Sequence, residues 1–192
     1  SSVFVLDLGE QFNTSNVTDM RNMFSECGYS NPEFTLDLKE QFNTSNVIDM
    51  QSMFYDCGHA STKFTLDLGD RFDTSNVTTM WFMFYKCGYS SPVFTLDFGD
   101  QFDTANVTDM RGMFSNCGYS SKVFTTLDLS AFTLGANTSL HCFAQEIPIT
   151  TFIFGEGWAN ATLPVTGSSK GAFYTDGQVD TTVVGATENL MN

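Results

Sequence analysis

Apolar and polar residues alternate along Phe34-Thr35-Leu36-Asp37-Leu38. Phe34, Leu36 and Leu38 fall on one side and Thr35 and Asp37 on the other, the period-two pattern of a strand with one buried face. The pattern changes after the polar cluster Asn43-Thr44-Ser45-Asn46. Val47, Met50, Met53, Phe54 and Cys57 then follow at offsets 0, 3, 6, 7 and 10, the spacing of one face of a helix. The cluster before them offers capping and turn side chains. Gly58 stands where a helix takes a left-handed residue after its last turn. One unit therefore reads strand, turn, short helix, turn.

The same reading recurs every 30 residues without a gap, as at Cys27, Cys57, Cys87 and Cys117, at Met20, Met50, Met80 and Met110, and at Phe24, Phe54, Phe84 and Phe114. Four copies occupy roughly 4–33, 34–63, 64–93 and 94–123. A single unit cannot bury its apolar side, but stacked units can, with each strand parallel to the next at about 4.8 Å. The expected fold is an α/β solenoid, leucine-rich-repeat-like, with one strand and one short helix per coil. A β-helix is the alternative, if the Val-to-Cys segment is strand and turn. Phe124 opens a fifth, imperfect unit whose Leu127-Asp128-Leu129 sits one residue late, because Thr125-Thr126 carries an insertion. Ile149–Phe154 is a further strand-like run. The expected organisation is four repeats over 1–123, a degenerate repeat and capping strand over 124–154, and a Gly-, Thr-, Ser- and Asn-rich cap or tail over 155–192.

The string Leu-Asp-Leu-x-x-x-Phe-Asn-Thr-Ser-Asn-Val-Thr-Asp-Met-x-x-Met-Phe-x-x-Cys at Leu6–Cys27 resembles a bacterial surface-protein repeat family of twenty-six-residue, BspA-like units. The resemblance covers 4–123 strongly and 124–154 weakly. The present unit is longer, by a Gly-Tyr-Ser-x-Pro segment. The resemblance implies a leucine-rich-repeat-like solenoid, a secreted or surface location, and more loosely adhesion or protein binding. Related repeats in large viruses and protists leave the source open. The family brings no catalytic residues with it.

Charge narrows the partners. With 8 Lys and Arg against 22 Asp and Glu the net charge is −14, which repels nucleic-acid phosphates and anionic lipid and favours cations or a basic partner. No apolar run is long enough to span a membrane. The chain opens without Met or a basic leader, as expected of a processed or partial chain.

The outward strand position carries Asp7, Asp37, Asp67, Asp97 and Asp128, followed by Glu10, Glu40, Asp70 and Asp100. Stacked carboxylates repel one another, so local hydrogen bonds or a Ca²⁺ ladder between units are expected to hold them; no other cofactor is expected. The cysteines fit a buried apolar column better than soft-metal ligands, and pairing between neighbouring units is open. Asn13, Asn16, Asn43, Asn76, Asn106, Asn137 and Asn160 head Asn-x-Ser/Thr triplets, readable as glycan acceptors or as an asparagine ladder with helix caps. Leu163–Gly167 matches a sortase pentapeptide but is followed by polar sequence, and reads as a loop. Thr-x-Asp on the strand is not the Thr-x-Thr of ice-binding solenoids.

His59 and His141 sit in no triad pattern, and the carboxylates repeat in every unit, whereas a catalytic site is single and asymmetric. An enzyme is not expected. Two functions remain. One is adhesion or protein binding through positions that vary between units: Arg21-Asn22, Gln51-Ser52, Trp81-Phe82 and Arg111-Gly112, with Trp81 and Phe82 as the candidate contact. The other is self-association as a structural subunit of a filament, surface layer or virion. Ser1–Leu6 enters directly as a strand, and an open parallel edge invites head-to-tail assembly.

Overall fold

A computed structural model of the chain describes residues 3–6, 8–9, 12–38, 42–135, 137–158 and 182–185. The strands fall where the alternation places them. β1 is Val3–Leu6, β2 Glu33–Asp37, β3 Lys63–Asp67 and β4 Val93–Asp97, joined side by side in one parallel sheet. Every residue pairs with its equivalent in the next coil: Phe34 with Phe64, Thr35 with Thr65, Asp37 with Asp67. Identity of side chains in register is what lets one apolar face repeat indefinitely. β5 (Thr126–Leu129), β6 (Thr151–Phe154) and β7 (Thr182–Gly185) form a second parallel sheet.

The expected helix is absent. Among the described residues the only helical segment is a 3₁₀ turn at Glu156–Trp158. The segment from Met50 to Cys57 is a chain of overlapping turns, in which the N–H groups of Met53, Tyr55 and Cys57 donate to the carbonyls of Met50, Ser52 and Phe54. The alternate N–H groups, those of Met50, Ser52, Phe54 and Asp56, donate to Thr79, Trp81, Met83 and Tyr85 of the following coil at 2.8–3.1 Å. The turns need left-handed residues, and Ser52, Asp56 and Gly58 supply them at φ of 56°, 55° and 63°.

Spacing explains the difference. Equivalent phenylalanines on the strand side, Phe34 and Phe64, stack with ring centres 5.1 Å apart, and those on the turn side, Phe54 and Phe84, stack at 5.4 Å. Helices pack at about 8–10 Å, so a helix in each coil would force the two sides to different spacings. Turns keep both sides at the strand repeat and hand half their N–H groups to the next coil. In the second coil Val47, Met50, Met53, Phe54 and Cys57, at offsets 0, 3, 6, 7 and 10, are all buried, as a helical face would be. What the pattern marks is a buried side, not a helix.

The interior is a set of columns. Phe34-Phe64-Phe94, Phe42-Phe72-Phe102 and Phe54-Phe84-Phe114 run through it, lined by Met50, Met53, Met80, Met83, Val47, Val77, Cys57 and Cys87 among others. Thr44, Thr74 and Thr104 point inward as well. Thr74 shows how they are satisfied: its hydroxyl donates to the Asp103 carbonyl at 2.6 Å and accepts the Asp103 N–H at 2.7 Å. Towards the end of the stack, Trp158 is buried with its indole N–H on the Leu129 carbonyl at 2.9 Å. β7 adds a strand to β6 inside the segment read as cap or tail. Leu163–Gly167, Asn160, Phe173 and Tyr174 lie outside the described residues.

Candidate functional site

The turn chain of each coil turns one position at least partly to the surface two residues after its bridge to the neighbouring coil. Bridges join Asp19, Asp49, Thr79, Asp109 and Ser139 in a line. Two residues on, the carbonyls of Gln51, Trp81, Arg111 and His141 accept the N–H groups of Asn22, Ser52, Phe82 and Gly112. This register brings Arg21, Gln51, Trp81 and Arg111 into a single column on the molecule's side.

Within that column the third coil is different. Trp81 and Phe82 are half-buried, with ring centres 5.0 Å apart, and Phe82 lies 4.9 Å from Tyr85. Tyr85 stacks on Tyr55 at 5.1 Å, and the Lys86 ammonium sits 5.5 Å from the Tyr85 ring and 5.7 Å from Tyr89. The Arg111 guanidinium lies 4.9 Å over the Trp81 ring while Nη2 donates to Asp109 Oδ2 at 2.6 Å. It is a cation–π contact steadied by a carboxylate. Phe82 adopts a left-handed φ of 56°, uncommon for an aromatic residue. Its ring fills the space over Gly112, where a Cβ would overlap it. The third and fourth coils are thus fitted to each other. The aromatic pair was legible as an oddity of the sequence. The matching glycine was not, because nothing in one coil announces what the next must lack.

Arg21 repeats the arrangement in the first coil, chelating Asp19 through Nε at 3.0 Å and Nη2 at 2.6 Å, with Asp49 at 3.7 Å. Hydrogen bonds from the Arg21 side chain and backbone hold the Asp19 carboxyl below its usual range. At Asp109 partial burial pushes the other way, but the side-chain and backbone hydrogen bonds of Arg111 outweigh it and the pKa is lowered.

The acidic ladder is shorter than expected. Asp37, Asp67 and Asp97 are in register and exposed, but Asp128 lies on β5 opposite Ile153 of β6, and Asp7, Glu10 and Glu40 fall outside the described residues. Asp67, Asp97 and Asp128 each accept a backbone N–H two residues ahead, from Gly69, Gly99 and Ser130 at 2.9–3.0 Å. Among the described residues no three His, Cys, Asp or Glu side chains gather as a metal would need.

Asn46, Asn76 and Asn106 do form a ladder, their amides donating to the carbonyls of Ser15, Ser45 and Ser75 at 2.7–2.8 Å. With no helix to cap, Asn13 and Asn43 instead accept the N–H two residues on, from Ser15 and Ser45 at 2.9 Å. His59 takes the place of a tyrosine in the column Tyr29-His59-Tyr89-Tyr119, with ring centres 4.6–5.2 Å apart, and its Nδ1 meets Asp56. The five cysteines are free thiols, and Cys57, Cys87 and Cys117 are buried. Burial pushes the thiols of Cys57 and Cys87 well up.

Fold and surface together describe a parallel β-solenoid of 30-residue coils with an irregular aromatic patch on a turn-side column. A family model described as "Mycoplasma protein of unknown function, DUF285" matches residues 2–125, and the chain belongs to that family. The match ends at the insertion that divides the two sheets. No curated protein and no solved structure matches the chain. No helix of the described residues is long and apolar enough to cross a membrane.

Proposed function

We propose that this protein is a non-catalytic, extracellular repeat protein that binds a protein partner through the turn-side column of its coils, centred on Trp81. The observation that carries the reading is the third-coil patch. In a molecule built to repeat, Trp81, Phe82, Tyr85 and Lys86 gather two cation-accepting rings, an aromatic pair and an ammonium seated against tyrosine in one place. Aromatic residues and Arg are the residue types that dominate interface energetics. The resemblance to BspA-like surface repeats supports the location and the binding role. The test is surface plasmon resonance of the protein against a panel of extracellular-matrix and serum proteins, with Trp81→Ala beside the parent. Saturable binding weakened at least about tenfold by W81A, equivalent to about 1.4 kcal/mol, is expected. Binding that W81A leaves unchanged places the contact elsewhere, and no binding at all removes the reading.

A further inference from the structure

The stack is interrupted once among the described residues, between β4 and β5, and we infer that the interruption is a binding cleft for a small organic cation with an apolar body. The cause is one residue. From Leu96 to its counterpart Leu127 the spacing is 31, against 30 between Leu36, Leu66 and Leu96. The surplus at Thr125-Thr126 turns the chain locally, with the Thr125 N–H on the Val123 carbonyl at 3.0 Å, while the Thr125 carbonyl accepts from Thr150 and Thr151 of the following coil. β4 and β5 therefore stand in separate sheets.

Three observations mark the gap as a site. A cleft of about 390 Å³ opens there, within the size that takes a small ligand. Its floor is core left partly uncovered: Leu96 and Phe98 are half-buried, whereas their equivalents Leu36, Leu66, Leu38 and Leu68 are buried. Asp97 and Asp128 line the same cleft. Each spends Oδ1 on a backbone N–H, and among the described residues neither meets a Lys, Arg or His. An apolar floor beside two carboxylates, in a chain of net charge −14, selects an ammonium on a hydrocarbon or aryl body and rejects anions. The site is single because the insertion is single, which the repeated acidic positions on β2 and β3 are not.

The test is calorimetric titration of the intact protein with phenethylammonium at physiological salt, against the neutral isostere 2-phenylethanol. Saturable binding of the ammonium, at least about tenfold tighter than the alcohol, is expected. Asp97→Asn should weaken it by about tenfold or more, whereas Asp67→Asn, at the same strand position but outside the cleft, should not. Deleting Thr125 restores the 30-residue spacing and should abolish binding while circular dichroism melting shows a folded chain. No saturable binding, equal affinity for the alcohol, or an equal loss in D67N would overturn the proposal. If the deletion variant fails to fold, the Asp97–Asp67 comparison still decides.

Discussion

At the scale of single residues the stack makes demands that no isolated coil would show. Left-handed residues recur where the turns overlap, and position 82 places a phenylalanine in that conformation. Its ring occupies the room above Gly112. Gly112→Ala should therefore cost about 2–4 kcal/mol, summing left-handed strain and overpacking. In the Phe82→Asn background, which restores the asparagine of the first coil, the same change should cost less. A double-mutant cycle by urea denaturation measures the coupling, and additive effects would show that the two coils do not meet there. The thiols give a second residue-scale prediction. Cys57 and Cys87 are buried with their pKa values pushed well up, whereas Cys27 and Cys142 are only partly covered and raised less. The thiolate is the reactive form, so a disulfide-exchange reagent at neutral pH should label Cys27 and Cys142 first, and Cys57 and Cys87 only on unfolding. Mass spectrometry of the labelled peptides reads the order.

At the scale of the element, hydrogen-bonded ladders stand where a short helix was expected in each coil. Thr74 holds both the N–H and the carbonyl of Asp103 in the interior. Thr74→Val keeps the shape and orphans two partly buried backbone groups of Asp103, so a loss of about 1–3 kcal/mol is expected, with Thr74→Ser recovering most of it. Thermal melts of the two variants separate this from simple packing, to which valine is the better mimic. The Asp109–Arg111 unit supplies the acid dependence. The folded pKa of Asp109 lies below its ordinary value, so its contribution is present above the normal carboxylate range and is lost as pH falls below that range through the lowered folded value. Being partly exposed it is worth at most about 1 kcal/mol. Asp109→Asn should lower the neutral plateau of a pH–melting curve by that amount and flatten its acid limb, so that the two curves converge at low pH.

For the molecule as a whole, like charge is the chief opposing field. Acidic side chains outnumber basic ones 22 to 8, and the strand ladder sets Asp37, Asp67 and Asp97 in line. Self-repulsion of this kind is screened by salt. Melting temperature should rise between about 10 and 150 mM monovalent salt, where the Debye length falls from about 30 to 8 Å. Magnesium or calcium at equal ionic strength tests for site binding beyond screening.

The 30-residue period, the parallel register, the inward set of Phe, Leu, Met and Cys, and the late start of the fifth unit were all legible in the chain. Each follows from side-chain identity repeated at constant spacing, which stacking then places in columns. The helix was not legible as false. Offsets of 0, 3, 6, 7 and 10 report only which side chains are buried, and a chain of turns with left-handed residues buries the same set. Only the stack decides between them, because the turn side must keep the strand side's spacing of about 5 Å. The candidate column was read as Arg21, Gln51, Trp81 and Arg111 from their variation alone. Their alignment, the seating of Arg111 over Trp81, the partnership of Phe82 with Gly112, and the gap opened by one surplus threonine are contacts between coils. They belong to the tertiary structure, since each depends on what stands one coil away.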